Sequence, residues 1–331
     1  MLKNFIKIRL VSISVFIFLA TFQTVSGQNS PKKYLEDAIS LMKLNSVNKA
    51  AVDWTKLYDE AMSSIQDKKN NKDVYSIIIK SLDALDDHHS GFYPPEIVSA
   101  YMKTYRESGL QFPYPKDSLL NGNIGYITVP AIGNLNQDDW NLYVGDFYNK
   151  LKALDSKELR AWVIDVREND GGMFSPMYKA IQPFLDRKKV IGSKDNGGII
   201  SYYKTSKNNI LFANTVIAKI DVPMITLSSK KIPIYILVSK KTASSGEFVT
   251  AAFVGQKNAT IIGVNTQGLT SDNSEFRLSD GAILKLTTGI LVDRERKEYS
   301  QIGKGITPDI EVISTKLKDY ISKIEQIEST K

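Results

Sequence analysis

Three short stretches hold the residue types that could do covalent chemistry. The first is Thr242-Ala-Ser-Ser-Gly-Glu247, which follows the apolar run 232–238 and opens the helical pattern 245–254. A serine on a tight strand-to-helix turn presents its hydroxyl clear of the sheet, and the free N–H groups of the helix's first turn favour negative charge beside it. Those are the needs of a nucleophile next to a developing oxyanion. The same residues make an ordinary N-cap, and taken alone the motif reads first as that. The second stretch is Val163-Ile-Asp-Val-Arg-Glu-Asn-Asp-Gly-Gly172, a buried strand running into a Gly-Gly turn. Glycines permit φ > 0 and let a carbonyl approach main-chain N–H groups closely, which would supply a second oxyanion donor. A turn chosen only for its geometry is the alternative, and Asp165 with Arg167 reads as a structural ion pair. The third is His88-His89-Ser90, at a helix-to-loop turn. It is either a source of general base for Ser244 or a solvated histidine pair favoured by a helix C-terminus.

Composition narrows these options. The chain has 331 residues, is 42% apolar and 24% charged, and contains no cysteine and two histidines. That length and apolar share suit one large or two smaller domains with real cores. Zero cysteine removes disulfides, thiolate zinc sites, iron–sulfur clusters and cysteine nucleophiles. Two adjacent histidines argue against a multi-histidine metal centre, so no metal and no cofactor is expected.

The N-terminus has Lys3, Lys7 and Arg9, an apolar stretch over 10–22, and small residues Ser26 and Gly27 before Gln28. This is the pattern of a secretory signal peptide spanning 1–27, its apolar centre shorter than the roughly 20 residues that cross a bilayer. Export to the periplasm or beyond the cell is expected, with no stable membrane anchor after cleavage. No cysteine is present to carry a lipid. Losing the three leader cations lowers the net charge from +7 to +4, a weak and dispersed excess that does not point to nucleic acid. The oligomeric state is not legible.

The elements that must position the three stretches divide the chain. Apolar residues recur at helical spacing between Pro31 and Thr104, ending in the polar turn before Gly91, with a further helix over 95–107. A linker at 109–122 leads into strands at 124–129, 161–166, 232–238, 260–264 and 283–287. Helices at 140–154, 176–185 and 245–254 alternate with them, the pattern of an α/β layered domain. The polar, irregular segment 188–231, with its Gly197-Gly198 turn, reads as an insertion or excursion of strands, and 317–327 as an amphipathic helix. The expected organisation is a helical domain at 28–110, a core at 111–315 and a C-terminal helix at 316–331.

Together the segments resemble the C-terminal-processing (tail-specific) serine peptidase family, closer to its tricorn-core branch. The resemblance rests on Leu85-Asp-Asp-His-His-Ser90, the 163–172 and 242–247 stretches, Gly263-Val-Asn-Thr-Gln-Gly268, Leu284-Lys-Leu-Thr-Thr288 and Gly305-Ile-Thr-Pro-Asp309, in the family's order. It implies a Clp-peptidase/crotonase-like β/α core preceded by a small N-terminal helical domain. It implies Ser244 as nucleophile, His89 rather than His88 as base, and oxyanion donors from Ser245 and from Gly171 or Gly172. Peptide or unfolded protein would be the substrate. The sequence departs from the pattern twice. Leu269 stands where the processing branch carries a lysine base, and Ile302 where the tricorn-core branch carries an acidic residue. Gln301 or Glu298 are the substitutes for that third member, and a neutral Gln would stabilise an imidazolium less than a carboxylate does. The linker 109–122 is too short for the peptide-binding PDZ module many members carry. A rival reading is a secreted binding protein that kept the scaffold and lost catalysis; a crotonase-like acyl-transfer enzyme is a third, disfavoured by export.

Overall fold

The computed structural model describes residues 30–87 and 89–329. The expected signal peptide and His88 lie outside the described residues. Helix α1 (Pro31–Asn45) begins on Ser30, whose hydroxyl accepts the Lys33 N–H at 3.2 Å, with Pro31 at a position that needs no donor. Its stripe of Tyr34, Leu35, Ala38, Ile39 and Met42 is buried. Helices α2 (Trp54–Ser63) and α3 (Tyr75–Asp83) pack on it. A turn then leads into strand β1 (Gly91–Tyr93) and helix α4 (Pro95–Tyr101). The helix expected over 95–107 stops at Tyr101, and Glu107 instead accepts from the backbone and hydroxyl of Thr104.

Strands β2 (Asp117–Leu120) and β3 (Ile124–Thr128) form a hairpin, so the linker itself contributes a strand. Helix α5 (Gln137–Asp155), strand β4 (Ala161–Asp165) and helix α6 (Phe174–Ile181) follow. The polar excursion comprises β5 (Ile191–Asp195), β6 (Ile200–Ser206), β7 (Asn209–Phe212) and β8 (Thr215–Lys219). Strand β9 (Ile234–Val238), helix α7 (Ser245–Ala251) and strand β10 (Ala259–Gly263) return to the apolar pattern. Strands β11 (Ser271–Arg277), β12 (Ile283–Asp293) and β13 (Ile310–Glu311) and helix α8 (Leu317–Ser329) complete the chain.

Two sheets result. The first runs β13-β10-β9-β4-β3-β2, parallel except for β2. Strands β4 and β9 are buried along their whole length, as continuous apolar runs in a parallel sheet require. Alternate residues face opposite ways: Trp162, Ile164, Ile234 and Ile236 join the core beneath α5–α7, while Ala161, Val163, Tyr235 and Leu237 meet Tyr320 and Ile324 of α8. The second sheet is antiparallel, with β1 and then β5 along one edge of β12 and β11 along the other. One face of it, with Phe92, Phe276, Leu284 and Leu286, packs on the N-terminal helices. Those helices therefore share a core with β12 rather than closing one of their own. The opposite face, with Tyr93, Asn273, Glu275, Ile283 and Lys285, looks into a cleft.

Candidate active site

The turn between β9 and α7 places Ser244 at φ 49° and ψ −119°, in the left-handed half of backbone space. A non-glycine residue held there carries strain of about 1–3 kcal/mol, kept only where the surroundings over-determine it. They do so here. Thr242 donates its hydroxyl to the Val166 carbonyl at 2.9 Å, and the Ala243 N–H donates to the Asn169 carbonyl at 3.0 Å. Buried Glu247 accepts the Ser244 N–H at 3.1 Å and the Gly268 N–H at 2.8 Å, and also takes the Thr266 hydroxyl. Burial pushes its carboxyl above the ordinary range, against the pull of those hydrogen bonds.

The Gly-Gly turn lies beside it. Asn169, buried, donates to the Val129 carbonyl at 2.8 Å and accepts the Gly171 N–H at 3.0 Å. That occupies Gly171, so of the two glycines it is Gly172 whose N–H no hydrogen bond of the described residues uses. The same holds for the Ser245 N–H at the start of α7. Gly172 has φ 92°, and a Cβ there would lie 2.3 Å from the Ile132 carbonyl oxygen, which fixes the residue type.

His89 arrives from the turn before β1. Buried Asp87 accepts the N–H groups of His89 and Ser90 at 3.0 and 2.7 Å and the Ser90 hydroxyl at 2.6 Å. Ser90 in turn accepts the Thr287 N–H of β12 at 3.0 Å. The imidazole Nε2 stands 3.2 Å from Ser244 Oγ. Its Nδ1 stands 2.7 Å from Ser271 Oγ, and the Asn273 amide nitrogen lies 3.1–3.2 Å from both ring nitrogens. Burial, then the Lys285 cation, push the His89 pKa down to about 4, with Asp87 opposing.

Ser244, His89, Ser245 and Gly172 thus converge. Gln301 and Glu298, expected beside the ring, do not. The Glu298 carboxylate pairs with Lys194 at 2.8 Å, and Gln301 lies exposed in a turn. Nδ1 already has the Ser271 hydroxyl as its neighbour. Asp165 and Arg167 pair with each other at 2.7 Å against the Tyr320 ring, as a structural ion pair would. Sequence reasoning missed Ser271 and Asn273, because 271–277 is too polar and half-exposed to announce a strand, and Lys285, quoted within its motif, carries no signal of its place beside the ring. Asp87 and Asn169 were quoted within motifs, yet nothing in their type marks them as the residues that clamp these turns.

The cleft between the two sheets has a volume of ≈ 440 Å³ and contains His89, Ser244 and Gly172, with Met173, Phe174 and Phe248 as its apolar end. Of the aromatic stretch that borders it, Tyr93 and Tyr101 line the wall, whereas Phe92 packs on Tyr75 at 4.7 Å and Tyr105, Phe112 and Tyr114 pack on one another.

Residues 123–312 match the family model described as peptidase family S41. The chain belongs to that family. His89 precedes the matched span, which covers the Ser244 turn and the Gly171–Gly172 turn. The nisin-resistance protein of Lactococcus lactis subsp. lactis is 26% identical over 91% of this chain and 88% of its own length. The carboxy-terminal-processing protease of Bartonella bacilliformis is 26% identical over 61% of this chain, which spans only 42% of that longer relative. Among solved structures, a lipoprotein from Streptococcus agalactiae superposes with TM-score 0.73 at 25% identity, covering 90% of this chain and 96% of that one. The photosystem II D1 C-terminal processing protease gives TM-score 0.58 at 16% identity over 88% and 96% of the two chains, a likeness of fold. The architecture is accordingly the Clp-peptidase/crotonase-like β/α core preceded by an N-terminal helical region. Among the described residues no helix is long and apolar enough to cross a membrane.

Proposed function

We propose that the chain is an exported serine endopeptidase acting on peptides or unfolded protein segments through a Ser244–His89 acyl-enzyme mechanism. The observation that carries this reading is the 3.2 Å approach of Ser244 Oγ to His89 Nε2 beside two uncommitted N–H groups. His89 takes the Ser244 proton as Oγ attacks the scissile carbonyl. The carbonyl oxygen, now negative, accepts hydrogen bonds from Gly172 and Ser245. His89 then protonates the leaving amine, and water attacks the ester by the same route in reverse. The depressed His89 pKa keeps the ring neutral, and so able to accept a proton, across the physiological range. Met173, Phe174 and Phe248, adjacent to the oxyanion glycine and the nucleophile helix, suit an apolar side chain next to the scissile carbonyl.

Export rests on the leader pattern. The relative named for nisin resistance, alike over nearly the full length of both chains, makes nisin the first peptide to assay. Labelling of the mature chain by a fluorophosphonate, with the modified residue identified by mass spectrometry, tests the mechanism. Ser244→Ala should abolish labelling, and persistence would place the nucleophile elsewhere. His89→Ala should slow it by about 100-fold, the scale of a general base, and an unchanged rate would remove His89 from the mechanism. The rival, a binding protein on a catalytically silent scaffold, draws on Nδ1 facing a hydroxyl and an amide, and no carboxylate, among the described residues; it predicts no labelling at all.

A further inference from the structure

The ring of His89 has two nitrogens, and the mechanism uses only one. What the other does decides which tautomer is present, and therefore whether Nε2 carries a lone pair facing Ser244 or a hydrogen. In this site Nδ1 faces the hydroxyl of Ser271 at 2.7 Å, the shorter of the ring's two hydroxyl contacts.

That hydroxyl is not on a loose loop. Ser271 is the first residue of β11, in register with Ile290 of β12. On its N-terminal side buried Thr270 donates its hydroxyl to the Tyr299 carbonyl at 2.6 Å and accepts the Leu291 N–H at 3.0 Å. On its C-terminal side the Asp272 carboxylate accepts the Tyr203 hydroxyl at 2.8 Å. The histidine backbone is separately fixed by Asp87. The two partners are thus presented to one another from independently anchored elements, which is what an orienting hydrogen bond requires. Asn273 is the competing candidate. Its amide nitrogen is nearly equidistant from Nδ1 and Nε2, at 3.2 and 3.1 Å, so it lies against the ring without aiming at Nδ1 alone.

We propose that Ser271 is the positioning residue of the catalytic pair: its oxygen accepts the Nδ1 hydrogen of His89 and holds the ring with the Nε2 lone pair toward Ser244, supplying orientation without negative charge. This rests on the Ser244–His89 reading for its consequence in catalysis, though the hydrogen bond itself is testable without turnover. During acylation the proton moves from Ser244 Oγ to Nε2, and the Nδ1 hydrogen stays on nitrogen throughout, shared with Ser271. Among the described residues no carboxylate is hydrogen-bonded to Nδ1. The charged groups that face the ring are Asp87 from its own turn and Lys285 from β12. From β11, Asp272 is engaged by Tyr203 and Glu275 sits opposite Lys285 in the strand register. A carboxylate installed at position 271 would therefore add the stabilisation of imidazolium that the native site lacks.

The test is 15N NMR of the histidine-labelled mature chain, the His89 resonances assigned with His89→Gln, combined with fluorophosphonate labelling rates as a function of pH. The native chain should hold His89 as the Nδ1–H tautomer. Ser271→Thr should preserve that tautomer and the labelling rate. Ser271→Ala should lose the tautomer preference and slow labelling by about 10- to 100-fold, the scale of losing a histidine's orienting partner, with an unchanged thermal midpoint. Ser271→Asp should raise the pH at which His89 titrates by about 1 unit or more and move the acid limb of labelling with it. The proposal is overturned if the native ring is the Nε2–H tautomer, if Ser271→Asp leaves the titration where it was, or if Asn273→Ala and not Ser271→Ala erases the tautomer preference. If these NMR results hold but Ser244 is never labelled, the positioning bond stands and it is the peptidase reading that fails.

Discussion

Ser244 and the Gly171–Gly172 turn rise from β9 and β4, in which every residue is buried, whereas His89 precedes a three-residue strand none of which is fully buried. The Ser244 half is locked by hydrogen bonds between the side chains of Asn169, Thr242 and Glu247 and the main chain of neighbouring turns. The base half is held at longer range. Its sheet leans on the N-terminal helices through the shared core around Leu284, and Tyr34 and Tyr75 both donate to Asp280 at the β11–β12 turn, at 2.9 and 2.6 Å. In the proposed mechanism the oxyanion geometry therefore depends on backbone conformation within one sheet, while the position of His89 depends on how a separate helical layer docks.

Substitutions can separate the two. The largest effect is expected from Gly172→Ala. Its Cβ meets the Ile132 backbone at φ 92°, so the turn must move, and Ser244 labelling should fall by about 100-fold or more, as when an oxyanion donor is lost. Near-native labelling would remove Gly172 from the oxyanion site. Next is Leu284→Ala, fully buried between the antiparallel sheet and the helices, which should cost about 2–5 kcal/mol in chemical denaturation. If the two regions are coupled as described, unfolding stays a single transition; a separate early transition would show that the base half melts alone.

A smaller effect is expected from Tyr34→Phe with Tyr75→Phe, which removes two hydrogen bonds to a carboxylate. Stability should drop by about 1–3 kcal/mol for each, and labelling should slow more than it does for equally destabilising substitutions on the parallel sheet. Equal slowing in both sets would argue that the helical layer has no particular hold on His89. The smallest is Lys285→Gln. With the His89 pKa near 4, below its ordinary 6.5, the native chain should keep labelling until the pH falls close to 4. The folded state resists protonation of this ring, so its contribution to stability is present above pH 6.5 and lost on descending toward 4. Removing the Lys285 cation should move the acid limb upward; a downward or absent shift would mean that the lysine does not act on the ring.

The same contrast explains what was legible. Strands β3, β4, β9 and β10 are apolar runs with helices between them, so an α/β layered domain is readable from the pattern, while their order in the sheet comes from the structure. Strands β6–β8 and β11 carry polar residues on half-exposed faces, so 188–231 was readable as an insertion or excursion of strands without their bounds, and no strand was readable at 271–277. Ser244, His89, Ser245 and the Gly171–Gly172 pair could be singled out only through the resemblance of several motifs in one order, since each motif alone reads equally as a cap or a turn. The neighbour of Nδ1 was not, because it is brought in by the register of two antiparallel strands, and nothing in a lone serine at position 271 encodes that pairing. Glu298 and Gln301 were reasonable by residue type, yet the first is engaged with Lys194 and the second points to solvent.

The central claim is that a hydroxyl, an imidazole and two N–H groups from separate layers meet at one carbonyl. Its most direct test is a crystal structure of the fluorophosphonate adduct. The account predicts phosphorus bonded to Ser244 Oγ, its oxygen within hydrogen-bond distance of the Gly172 and Ser245 N–H groups, and His89 Nε2 beside the ester oxygen. An adduct on another residue, or a phosphonyl oxygen turned away from both N–H groups, would contradict it.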